Sequence, residues 1–280
     1  MADLIEKILG KADDLPVLPH IAMEILTLID SENSIPADFQ SIIENDQVLT
    51  LKILKLANSA YYGYPREIIS VKEAIVILGL DTLKSLVLSL LTRQMLSKGL
   101  DTYGLKRGEL WEHSITVAMV ARSIAKLMRL ANVERFFVGG LLHDTGKLLL
   151  DIYLLDNVEK LKAQVNEGGL DFSEAEEMLL GFDHAFIGSK LIEQWNLPSF
   201  LENVVRFHHS FSKAPDIFKK DAYIIDIADR LAYSIARGSG TDYKVNKTVN
   251  PAEYGKLGLT VADIEANLQT IKTSLQSMKF

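Results

Sequence analysis

Apolar residues recur at three- and four-residue spacing along almost the whole chain, and β-type alternation bounded by hairpin turns is missing. That regularity limits the fold. Helices must bury their stripes on other helices, so the expected class is all-α. Ile21, Ile25 and Leu28 mark a first stripe. Ser34-Ile35-Pro36 reads as a helix start with proline near the first helical position, and Phe39, Ile42 and Ile43 as its apolar face. Val48, Leu51, Leu54 and Asn58 continue at helical spacing into the break Ala60-Tyr61-Tyr62-Gly63-Tyr64-Pro65. Ser70-Val71-Lys72-Glu73 has the pattern of a capping box, with Gly79 ending its helix and Asp81 placed to cap the next, Thr82 to Met95.

Two helices around Gly79 have the outline of a helix-turn-helix. A recognition helix, however, needs polar and basic side chains to meet base edges, and Thr82 to Leu91 is mostly Leu, Val and Ser. The pair is expected to be buried. The polar, glycine-bearing stretch Lys98 to Gly108 divides the chain into an N-terminal helical subdomain, 1–100, and a second helical subdomain, 101–280. Helices are expected there at Glu109–Met128, Val133–Leu142, Ser173–Gly181, Asp183–Trp195, Ser199–His209, Asp221–Arg237 and Val261–Met278, with a loop at Arg237-Gly238-Ser239-Gly240-Thr241.

Charge and cysteine content exclude several functions. Thirty Lys and Arg against 37 Asp and Glu give a net charge of −7, without a basic block, so no nucleic-acid partner is expected. No cysteine is present, which removes disulfides, thiol catalysis and sulfur-ligated metals. Asp3 and Glu6 stand where a secretory signal would be basic. Asp81 and Lys84 interrupt the most apolar run, Ala74 to Leu91. A cytoplasmic protein without a membrane partner is expected.

Five of the six histidines lie in the second half; His20, beside two prolines, reads as structural. Glu109 and His113 are four apart on one helix and share a face. Gly139-Gly140-Leu141-Leu142-His143-Asp144-Thr145-Gly146-Lys147 puts a His-Asp pair at the end of an apolar helix. Its two leading glycines permit close helix packing, and Gly146 is suited to a left-handed helix end. His184 opens a helix whose dipole is expected to keep its ring neutral. His208 continues the inward stripe Leu201, Val204 and Val205, with His209 adjacent, and Asp226 and Asp229 share a face with Ala222 and Tyr233. A single inward histidine is more often a hydrogen-bonded core residue than a ligand. Together, however, these groups sit on separate helices of a bundle, and a cation would satisfy them jointly.

The succession His113, His143-Asp144, His184, His208-His209, Asp229 resembles the metal ligands of the HD phosphohydrolase superfamily, in the fuller set of its HD-GYP branch. Glu109 resembles an extra acidic ligand of that branch, and Lys147 the lysine that follows its His-Asp pair. The whole chain is more similar to the HDOD family, the HD-related output domain of bacterial signalling. The likeness rests on Leu15-Pro16-Val17-Leu18-Pro19, on Asp46 through Ala60, on Ile68 through Leu80, and on Gly181 through Pro198. It implies an N-terminal helical subdomain packed on an HD-like helical bundle, and a regulatory or scaffolding role in signal transduction.

Many HDOD relatives have lost the ligands that this chain keeps. The Gly-Tyr-Pro loop of the HD-GYP branch is absent after His209, where Ser210-Phe211-Ser212-Lys213-Ala214-Pro215 follows. The resemblance therefore implies a regulatory module with two transition-metal ions (Fe, Mn, Zn or Ni) and a signalling protein as partner. His113, His143, Asp144 and Asp229 would hold one ion, and Asp144, His184, His208 and His209 the other. The alternative is a metal-dependent phosphohydrolase acting on a nucleotide or cyclic dinucleotide, with Lys147 and Asp144 in catalytic roles. A third reading is an interaction domain without metal.

Overall fold

The computed structural model describes residues 2–10, 39–40, 43–44, 46–59, 62–154, 158–166, 168–235 and 249–277. The expectations at Leu15–Pro19, His20, Ile21, Ile25 and Leu28, at Ser34-Ile35-Pro36, and at the Arg237–Thr241 loop lie outside them. Every regular element among the described residues is helical. The β contact there is an isolated bridge between Leu100 and Leu105. The all-α expectation is met.

Helix α1 (Ala2–Leu9) buries Ile8 completely. Helix α2 (Gln47–Ala57) starts where the Asp46 carboxylate accepts from the N–H groups of Val48 and Leu49. Its buried side is Leu49, Ile53, Leu56 and Ala57, and Val48 and Leu51 are exposed. The expected stripe Val48–Leu51–Leu54 is thus corrected: this helix is apolar on two sides, and neighbouring helices select the other one. Asn58 is spent on the loop beyond, exchanging hydrogen bonds with the backbone of Ile68 at 2.7 and 2.8 Å.

Helices α3 (Val71–Leu78) and α4 (Leu80–Leu96) meet at a bend of 120°. Gly79 makes the corner at φ +84°, a left-handed value that side-chain-bearing residues rarely adopt. Ser70 caps α3 by accepting from the Glu73 N–H, but Glu73 reaches back to the N–H of Ile69 rather than to that of Ser70. Asp81 does not cap α4: the helix begins at Leu80, and the carboxylate lies 3.4 Å from the ammonium of buried Lys84. Leu83 through Ser89 are buried, as expected of a structural pair. No single helix among the described residues is long and apolar enough to cross a membrane.

The connector after α4 closes on itself, with two hydrogen bonds between Leu100 and Leu105 and one from Gly108 N–H to Ser97 O. Then come α5 (Glu109–Leu127), α6 (Glu134–Leu142), α7 (Gly146–Leu154), α8 (Val158–Asn166) and α9 (Phe172–Leu180). They are followed by α10 (His184–Gln194), α11 (Ser199–Phe207), α12 (Asp216–Ile235), α13 (Pro251–Lys256) and α14 (Val261–Ser277). Most lie within two residues of expectation; α12 begins five residues before the expected Asp221. Helices α7, α8 and α13 were not anticipated.

Helix α5 is the axis of this half, packed on α6, α12 and α14, while α10 packs on α7 and α11. Helix α4 rests on α5 and α6, and α1 on α7 and α10, so both ends of the N-terminal half touch the second. One hydrophobic core runs through all of them.

Candidate metal centre

Close backbone approach builds the site. Helix α6 lies tight against α5, because a Cβ on Gly140 would come within 2.8 Å of the Cα of Ala118. That approach brings His113 of α5 beside His143, which follows the last residue of α6, with ring centroids 5.3 Å apart. Gly146 opens α7 instead of ending a helix in the left-handed conformation expected for it. A Cβ there would overlap the His184 carbonyl oxygen, so glycine is needed for contact between α7 and α10. His184 starts α10, His208 and His209 follow α11, and Asp229 projects from α12.

The side chains converge on Asp144. Its Oδ2 lies 3.3 Å from His143 Nε2, 3.7 Å from His113 Nε2 and 2.9 Å from Lys147 Nζ. Its Oδ1 lies 3.2 Å from His184 Nε2 and 3.8 Å from His208 Nε2. Asp229 Oδ1 sits 2.9 Å from His113 Nε2 and 3.7 Å from His143 Nε2. His209 Nε2 is 3.0 Å from His184 Nε2. Two groups result, each with donor atoms within 4.8 Å of one another: His113, His143 and Asp144, and Asp144, His184, His208 and His209. His143 and His208 are fully buried, Asp144 and His184 1% exposed, and only His209 is half-buried.

Burial pulls the His143 imidazolium down, but the carboxylates of Asp144 and then Asp229 outweigh it and raise the pKa to about 9. Burial also opposes charge on His184, yet the Glu176 carboxylate, with help from Asp144, lifts it to about 10. The expected neutral ring is therefore overturned for the metal-free centre: a carboxylate 2.7 Å from Nδ1 exceeds the helix dipole. Burial acts on Asp144 in the opposite sense, and the cations of His143 and Lys147 hold it well below the usual range. His208 is pushed to about 3, first by burial and then by the charges of His143 and His184.

This donor set fits a metal. Nε2 of His143 and of His208 are sealed from water without an aligned hydrogen bond in the protein. Such atoms are costly unless a ligand takes them. Nitrogen and oxygen donors without sulfur suit first-row transition metals. The buried His and Asp cluster can bind metal.

Glu109 is not brought in. Its carboxylate turns back to accept from the Lys106 N–H at 2.8 Å, where the start of α5 needs an acceptor. Asp226 turns away from Asp229 and pairs with Arg230 at 2.8 Å. Three residues were not anticipated at the site. Glu176 binds His184, Tyr103 binds Glu176, and Tyr233, though placed on the right face, stacks on His113 at 4.8 Å.

Similar proteins carry the same fold. The HDOD domain family matches residues 15–211. A protein of Treponema pallidum (strain Nichols) is 29% identical over 217 residues, which are 77% of this chain and 42% of that protein. The chain thus spans less than half the length of that relative. The crystal structure of an HDOD domain protein of Geobacter sulfurreducens superposes with a TM-score of 0.82 at 26% identity, covering 98% of this chain and 96% of the other. A protein of Shewanella amazonensis SB2B, named provisionally as a phosphohydrolase, gives a TM-score of 0.68 at 26% identity, over 96% and 97% of the two chains.

Proposed function

Because the chain belongs to the HDOD family, we propose that it is a signal-transduction module regulated by a centre of two metal ions, with Asp144 between them. The observation that carries this reading is the arrangement about Asp144: each carboxylate oxygen faces its own group of buried imidazoles. His113, His143, Asp144 and Asp229 would hold one ion, and Asp144, His184, His208 and His209 the other. Fe, Mn, Zn and Ni all suit such donors. Residues 101–280 then form the metal-bearing subdomain, and residues 1–100 the subdomain offered to a signalling protein.

Burial favours regulation over turnover. The ligands are almost wholly covered, and the half-buried ring of His209 is the wettest part of the set.

A second reading, a phosphohydrolase acting on a nucleotide or cyclic dinucleotide, is favoured by Lys147 alone. Its ammonium, 2.9 Å from Asp144, is placed to neutralise phosphoryl oxygens. Bound ions would supply Lewis acidity and a water of lowered pKa. The segment after His209 is a short 3-10 turn, Phe211–Lys213, where the HD-GYP branch carries its Gly-Tyr-Pro loop.

The readings separate on turnover. Protein loaded with Mn²⁺ or Fe²⁺ is incubated with phosphomonoesters, nucleotides and cyclic dinucleotides beside a His143→Ala control. A regulatory module shows no hydrolysis above that control. Saturable hydrolysis that disappears in His143→Ala would replace this reading with the enzymatic one.

A further inference from the structure

The ring nitrogens Nδ1 of three candidate ligands are held in two different ways. His143 Nδ1 donates to the carbonyl of Gly140 at 2.8 Å, and His208 Nδ1 to the carbonyl of Val205 at 2.7 Å. Both follow helix C-termini, where the carbonyl three residues back has lost its helical partner. In each case Nε2 is left for the centre. His184 has no such carbonyl, because it begins α10, and a helix start offers N–H donors.

Glu176 fills that gap. It is fully buried on α9, and its Oε2 accepts from both His184 Nδ1 at 2.7 Å and His184 backbone N–H at 2.6 Å. A carboxylate only accepts, so the proton lies on Nδ1, and Nε2 points at Asp144 Oδ1. The second oxygen, Oε1, accepts from the Tyr103 hydroxyl at 2.6 Å. Tyr103 is buried against Phe172 and lies in the closed connector between Leu100 and Leu105.

We infer that Glu176, held by Tyr103, is the positioning residue of His184 and ties the connector between the two halves to one side of the metal centre. The inference rests on the metal-binding reading above. A carboxylate partner fixes the imidazole and strengthens it as a donor, and loss of such a partner weakens metal affinity by about 10–100-fold. The loss should fall on the group that contains His184, and spare the group of His113 and His143.

The test titrates Zn²⁺ against a competing chelator, and records Co²⁺ absorption, for wild type, Glu176→Gln and Tyr103→Phe. Far-UV circular dichroism and the thermal midpoint of each metal-free variant monitor folding. In Glu176→Gln one of two binding phases weakens by about 10–100-fold and the Co²⁺ bands shift, while the other phase is kept. Tyr103→Phe gives a smaller loss in the same phase.

A folded Glu176→Gln with wild-type affinity and spectrum, even at a lowered thermal midpoint, would overturn the inference and leave the metal centre standing. If Glu176→Gln does not fold, an unchanged affinity and spectrum in Tyr103→Phe overturns it equally. Wild type that takes up neither ion would overturn the centre and the positioning role together.

Discussion

At Asp144 one buried carboxylate meets four imidazoles and an ammonium within 4 Å. Without metal, His143 and His184 keep their protons, with pKa values of about 9 and 10 against 6.5 for a free imidazole. Both are raised in the fold. Their contribution to stability is thus complete below pH 6.5 and is lost as pH rises through 9 to 10. An ion must displace the same protons. Metal uptake near neutral pH should release about two protons, and apparent affinity should climb from pH 6.5 to 8.5. Chelator competition at several pH values checks this, and a pH-independent affinity would contradict it.

The histidines were legible from inward or helix-end positions, and Asp229, which shares a face with Asp226, from the family resemblance. Glu176 was not, although Phe172, Ala175, Glu176 and Leu179 share one helical face, and an acid inside an apolar row is the signal that would have found it. Glu109 failed in the other direction. Its spacing from His113 is right, but the first turn of α5 needs its carboxylate more.

At the scale of helices, a buried ion pair within the second half is reached by a hydrogen bond from the first. Arg122 on α5 meets Glu134 on α6 at 3.1 Å, and Thr82 on α4 donates to the same glutamate at 3.3 Å. The Arg122 guanidinium also lies 4.7 Å from the Phe137 ring centre. Glu134→Gln would remove the carboxylate that the buried Arg122 guanidinium meets at 3.1 Å and should cost stability, by up to about 3–5 kcal/mol. Replacing both, as Arg122→Met with Glu134→Leu, should cost less, because apolar side chains fill the space and neither member of the pair is left behind. Urea unfolding of the metal-free variants measures the difference; equal losses would show that shape matters here and charge does not.

The order of most helices could be read from periodicity and from Gly79. Periodicity could not choose between the two apolar sides of α2, because that choice is made by α3 and α4. Helix α7 was hidden because Gly146, taken as a stop, is a start forced by contact with α10.

For the molecule as a whole, the fold gathers groups spread from His113 to Asp229 around one aspartate and then covers them. The first helix packs on α7 and α10, the helices that carry Lys147 and His184, so the N-terminal half touches the second through α1 as well as through α4. A change of metal occupancy would act on elements shared by both halves, as a regulatory module requires. The most direct measurement is elemental analysis of protein purified without a metal-affinity tag, beside His143→Ala and Asp144→Ala. Wild type should carry close to two equivalents of transition metal per chain, His143→Ala about one, and Asp144→Ala almost none. Less than half an equivalent in folded wild type, unchanged after dialysis against Mn²⁺, Fe²⁺ or Zn²⁺, would contradict a metal centre at Asp144.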